Sequence, residues 1–178
     1  MKKLLIVISL ILTLSLIIPF AGCARAGSKI AEDVIEKELE EASDGNIDLD
    51  LQEGGAVVKD EKGGETQIGE DVNLPEGWPN DVPVYSDTNF SMSTKTKNGE
   101  TDKNEYAVWG IVTKGSAEEV YNWYKSEFSG WEMVTDQYTK SDDGDLAFLY
   151  MKSSAYEVSV TIGESEDETS LGMQVIEQ

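Results

Sequence analysis

Asp142-Asp143-Gly144-Asp145 and Asp44-Gly45-Asn46-x-Asp48-x-Asp50 each set several carboxylate and amide oxygens around a glycine. Calcium takes six to eight such hard ligands on a flexible loop, so Asp142, Asp143 and Asp145 are candidate ligands for Ca2+. Neither segment reproduces the twelve-residue EF-hand loop, because no glutamate falls at the closing position. Asp/Gly clusters are also ordinary turn chemistry, and the turn reading stands beside the calcium one. Other chemistry is scarce. The chain has no histidine, which removes the commonest general base, the usual zinc ligand and any Ser-His-Asp arrangement. No phosphate-cradling G-x-x-x-x-G-K-[ST] loop occurs, and no carboxylate pair sits in the aromatic and polar frame that glycoside hydrolysis requires. The expectation is a protein that is no enzyme and binds no cofactor, apart from calcium as the alternative.

The other reactive group is the single cysteine, Cys23. Lys2 and Lys3 precede an apolar run, Leu4 to Phe20, and Ala21-Gly22 place small residues directly before Cys23. This is a secretory signal ending in what looks like a bacterial lipobox, in which the thiol receives a diacylglycerol and becomes the first residue after cleavage. Two acyl chains hold a protein stably on a bilayer where one does so only marginally. An uncleaved membrane-spanning helix is the rival, but the run is at the lower limit of length and is interrupted by Ser9, Thr13, Ser15 and Pro19. Both readings place the rest of the chain outside the cytoplasm. One cysteine also excludes an internal disulfide, so stability rests on core burial.

Aromatic residues are the remaining candidates. Trp109 and Ile111 with Leu149 and Met151 form an apolar strip on the second sheet face if their strands are neighbours, and an uncovered strip would be a contact surface. Trp123 falls off the buried stripe of its helix and either packs under the preceding linker or stands exposed as a contact residue.

The elements that must position these residues are legible in the patterning. Residues 1–22 are the signal peptide and 23–28 the lipidated cysteine and tether. Residues 29–69 form a small helix-plus-hairpin module. Its helix is capped by Ser28 and runs to about Ser43 with Ala31, Val34, Ile35, Leu39 and Ala42 on one stripe. Ile47, Leu49 and Leu51 then alternate with aspartates, and Gly54-Gly55 and Gly63-Gly64 turn the chain. Residues 70–87 are a proline-rich linker, Trp78-Pro79-Asn80-Asp81-Val82-Pro83-Val84-Tyr85, whose apolar teeth lie across a domain surface.

Residues 88–178 are the main domain. Strand patterns occur near 88–95, 105–113, 131–139, 146–152, 157–163 and 172–177. One helix interrupts them from Ala117 to about Phe128, opened by the Ser116/Glu119 capping box and burying Ala117, Val120, Tyr121, Tyr124 and Phe128. One helix cannot cover both faces of so many strands. The fold class is therefore α+β: a mostly antiparallel sheet with one helix on one face, preceded by the helix-plus-hairpin module.

The Trp78-Pro-x-Asp-Val-Pro-Val-Tyr85 segment, the Tyr121-x-x-Tyr124-x-x-x-Phe128 helix and the following Gly130-Trp131 resemble small lipoproteins of Gram-positive bacteria. The lipobox and the acidic helix with its hairpin are similar to the same group. The resemblance implies a helix inside an antiparallel sheet and a lipid-anchored location, and it transfers no catalytic residue.

Formal net charge is −21, and cleavage of the signal removes Lys2 and Lys3 as well. Such a field repels nucleic acid and anionic headgroups, so no nucleic-acid partner is expected and the membrane is reached through the anchor. The expected function is that of a lipid-anchored, extracytoplasmic, non-catalytic interaction module with an envelope protein as partner. A small-ligand or calcium-binding envelope protein is the alternative.

Overall fold

The structure, a computed structural model, describes residues 47–178 apart from Glu53, Asp143, Glu166 and Asp167. The signal peptide, Cys23 and its tether, and the expected helix before Ser43 lie outside the described residues. Among the described residues nine strands and one helix follow in order: β1 (Ile47–Gln52), β2 (Gly55–Asp60), β3 (Glu65–Val72), β4 (Thr88–Lys97), β5 (Asn104–Val112), α1 (Ala117–Glu127), β6 (Glu132–Thr139), β7 (Leu146–Lys152), β8 (Tyr156–Ser165) and β9 (Glu168–Glu177). They build a single nine-stranded sheet in the order β1-β2-β3-β4-β5-β9-β8-β7-β6, with every pair antiparallel.

The topology follows from one crossover. Hairpins carry the chain from β1 to β5, α1 takes it to the far edge at β6, and hairpins bring it back so that β9 closes against β5. The sheet with one helix matches the expected α+β class. The strands of the expected helix-plus-hairpin module belong to the same sheet as the main domain, because β3 pairs with β4 across the proline-rich linker. A hydrogen bond between the Thr66 and Thr94 hydroxyls, 2.9 Å long, ties the two strands. A three-stranded hairpin has little core of its own, and continuing a larger sheet satisfies its edge.

α1 starts where the capping box places it. The Ser116 side chain accepts the Glu119 N–H at 3.3 Å, and the Glu119 carboxylate accepts the Ser116 N–H at 2.9 Å. Glu164, reaching from β8, accepts the Ala117 N–H at 2.6 Å, which puts a negative charge at the positive end of the helix dipole. The helix lies over β7 and β8 and buries Ala117, Val120, Tyr124 and Phe128 against Ala147, Leu149, Met151, Val158, Val160 and Ile162. The linker covers what one helix cannot. Val82 is buried, Trp78 meets the Tyr106 ring edge-on at 6.1 Å, and its Nε1–H donates to the Val82 carbonyl at 3.0 Å.

From β4 to β6 one face of the sheet is thus sealed by α1 and the linker together. Within it, Ser93 is 1% exposed and its Oγ makes no hydrogen bond. A buried, unpaired hydroxyl costs more than it returns. Ser93→Ala is therefore expected to leave stability unchanged or raise it by up to about 1 kcal/mol, read from the midpoint of urea unfolding.

Candidate functional site

The opposite face is built differently, and the pairing register says how. One rung runs Ile68–Met92–Trp109–Gly172–Thr161–Phe148–Gln137 from β3 to β6. The next runs Thr66–Thr94–Ala107–Gln174–Ser159–Tyr150–Thr135 over the same strands. A third runs Asn89–Ile111–Ser170–Gly163–Leu146–Thr139 from β4 to β6. None of these residues is charged, in a chain whose residues are 28% charged. Most of the large exposed apolar side chains among the described residues gather here: Ile68 at 38%, Met92 at 36%, Trp109 at 42% and Leu146 at 56% exposure. Leu49, Leu51, Ala56 and Val58 extend the same face over β1 and β2, where Leu49 is buried and the others half-buried.

Trp109 stands at the centre, on the fifth of nine strands. Its ring leans across β9 over Gly172, where a Cβ would come within 2.4 Å of Cε3 and 2.5 Å of Cζ3. Glycine at that position is what lets the indole rest on the sheet.

Charge returns abruptly at the next rung, Thr96–Glu105–Ile176–Glu157–Lys152–Glu132. Lys152 Nζ lies 2.7 Å from Glu157 Oε1 and 5.2 Å from the Tyr150 ring centroid, and the Tyr150 hydroxyl donates to the same carboxylate. The Lys152 ammonium and then the Tyr150 hydroxyl hold the Glu157 carboxyl below its ordinary range. An uncharged centre containing Trp and Met, with a charged rung along one border, is the composition of a protein contact surface.

Of the expected strip, Trp109 and Ile111 are on this face. Leu149 and Met151 are not: both are fully buried on the sealed face beneath α1. The expected strip is one residue out of phase on β7, where side chains alternate with a period of two. Phe148 and Leu146 occupy the positions beside Gly172 and Ser170 instead. The correct phase has a signal in the sequence. Lys152 ends β7 and must point away from the core, and counting back in twos gives Tyr150, Phe148 and Leu146. Glu105 does the same for Ala107, Trp109 and Ile111. Gly172, Met92 and Ile68 have no such marker, since they are recognised only once the register is known.

Trp123 packs under the linker. Its ring meets Tyr85 edge-on at 5.3 Å and Tyr124 at 4.7 Å, and it is half-buried at the border of the core.

The acidic loop joins β6 to β7. Asp143 lies outside the described residues and Asp142 is exposed. Asp145 accepts a hydrogen bond of 2.5 Å from the Tyr138 hydroxyl. Burial, and then this bond, push the Tyr138 phenol above its usual range. Ser141 closes the turn by donating from Oγ to the Gly144 carbonyl at 2.6 Å. Among the described residues no group of three or more His, Cys, Asp or Glu is arranged to hold a metal ion. No helix among them is long and apolar enough to cross a membrane.

Comparison of the chain with protein-family models, with curated proteins and with solved structures finds no match.

Proposed function

We propose that this chain is a lipid-anchored, non-catalytic interaction module on the extracytoplasmic face of the cell membrane, and that it engages a protein partner through the open sheet face. The observation that carries the reading is the charge-free face centred on Trp109. A surface that must only stay soluble gains from carboxylates throughout, and these three rungs carry none. Exposed apolar side chains gathered on one face, rather than scattered, are the mark of a contact site. The anchor rests on Phe20-Ala21-Gly22-Cys23 behind its apolar run, and the resemblance to small Gram-positive lipoproteins supports the same location.

Two measurements test the two halves of the proposal. Cys23→Ala should eliminate incorporation of labelled fatty acid in growing cells; unchanged labelling would remove the anchor from the account. Chemical cross-linking in the same cells should yield a reproducible adduct of the wild-type protein. Trp109→Ala should reduce that adduct about tenfold, the size of effect truncation produces at the centre of an interface, while the melting temperature is kept. An adduct unaffected by Trp109→Ala would move the contact away from this face.

A further inference from the structure

We propose that the partner on the open sheet face is a second copy of this chain, the two sheets packing face to face about Trp109. The inference rests on the reading of this face as a contact surface and names its occupant.

Charge selects the occupant. Two molecules of net charge −21 repel wherever their carboxylates meet, so self-association needs a face that carries none. The three rungs, two from β3 and one from β4 to β6, meet that requirement along their whole length. A basic partner would be recognised by carboxylates, and a face selected for such a partner would keep them. Only in a symmetric pair is removing charge from one surface at the same time removing it from its partner, because an isologous contact uses the same patch twice.

Area is sufficient. Strands lie about 4.8 Å apart and same-face side chains repeat about every 6.8 Å, so two rungs of seven residues and one of six cover twenty positions of about 33 Å² each. That is roughly 650 Å² per copy and about 1,300 Å² for the pair, within the range of about 1,200–2,000 Å² of stable specific interfaces. Sheets packed face to face place their side-chain layers in one shared core about 10 Å thick. The indole of Trp109, leaning over Gly172 at the middle of the patch, occupies the position where interface energy concentrates.

The test is photo-cross-linking of the full chain in its own cells. A benzophenone amino acid replaces Thr161, and two differently tagged copies are expressed together. The expected result is an adduct carrying both tags, with the cross-linked peptide mapping to β4, β5 or β9 of the second copy. Gln174→Glu, which adds one charge per copy at nearly constant volume, should reduce that adduct about tenfold, as should Trp109→Asp. The melting temperature of each variant shows that the fold is retained, and Gln174→Glu serves if Trp109→Asp does not fold. An adduct with a different protein through the same position overturns the second copy and leaves the contact surface standing. An adduct confined to the chain's own residues, or none while the same group at exposed Asn122 reacts normally, overturns both.

Discussion

Gly110→Ala is expected to destabilise the protein by about 2–4 kcal/mol, a large part of the total of about 5–15 kcal/mol that holds a domain together. Gly110 lies on β5 opposite Phe90, where the pairing of β4 shifts register between Phe90 and Met92. The bulge folds β4 over the position that a side chain would take. A Cβ there would come within 2.3 Å of the Asn89 carbonyl oxygen and 2.7 Å of the Phe90 Cα. Both are backbone atoms, so no rotamer change relieves the overlap, and β4 and β5 must part at the middle of the sheet. Gly130→Ala is the control, because nothing lies within 4 Å of a Cβ at that position. It should change stability by less than about 0.5 kcal/mol. Urea unfolding followed by tryptophan fluorescence separates the two. Equal midpoints would mean that the β4 bulge is pliant, and that the sheet is not held where the register places it.

The bulge matters beyond stability. It keeps Ser93 and Phe90 on the sealed face while turning Met92 to the open face beside Trp109. The same irregularity explains why this part of the site was hard to read from the sequence. β8 was legible because Tyr156, Val158, Val160 and Ile162 alternate with polar residues, and α1 because Ser116 and Glu119 announce its first turn. β5 and β7 are apolar on both faces, so periodicity alone leaves their phase open. There the charged residue at the strand end, Glu105 or Lys152, is the signal that fixes the phase, and the expected strip on β7 did not use it. The joining of β3 to β4 had no local signal at all. A half-polar strand states that one face is buried without stating against what, and the proline-rich linker between the two strands reads as a boundary. The charge-free face is a property of the register, made of residues from β3 to β6, and emerges only when the strands are set side by side.

Tyr124 joins the linker, α1 and β9, and its replacement is the second large effect expected. The side chain is fully buried, stacks on Phe128 with ring centroids 6.1 Å apart and meets Trp123 edge-on at 4.7 Å. Its hydroxyl donates to Met173 Sδ at 3.0 Å and accepts the Tyr85 N–H at 3.2 Å. Tyr124→Ala leaves a cavity between these groups and should cost about 3–5 kcal/mol. Tyr124→Phe keeps the packing and removes only the hydroxyl, at about 1–2 kcal/mol. That smaller loss should be local. The Tyr85 amide should exchange its hydrogen faster in the Phe variant, while the amides of β7 and β8 keep their protection. Alkaline pH gives an independent reading of the same group. Burial pushes the Tyr124 phenol well above its ordinary value of 10.0, so the unfolded chain releases the proton before the folded one does. The stabilisation is whole below about pH 10 and is lost as pH rises above it. Tyr106, Tyr121 and Tyr138 are shifted in the same direction, burial being the first cause for each, so the wild-type protein should lose stability steeply there. Tyr124→Phe should make that decline shallower, since one of the four phenols is gone. A slope equal to that of the wild type would place the Tyr124 hydroxyl in contact with water and separate the linker from the core beneath it.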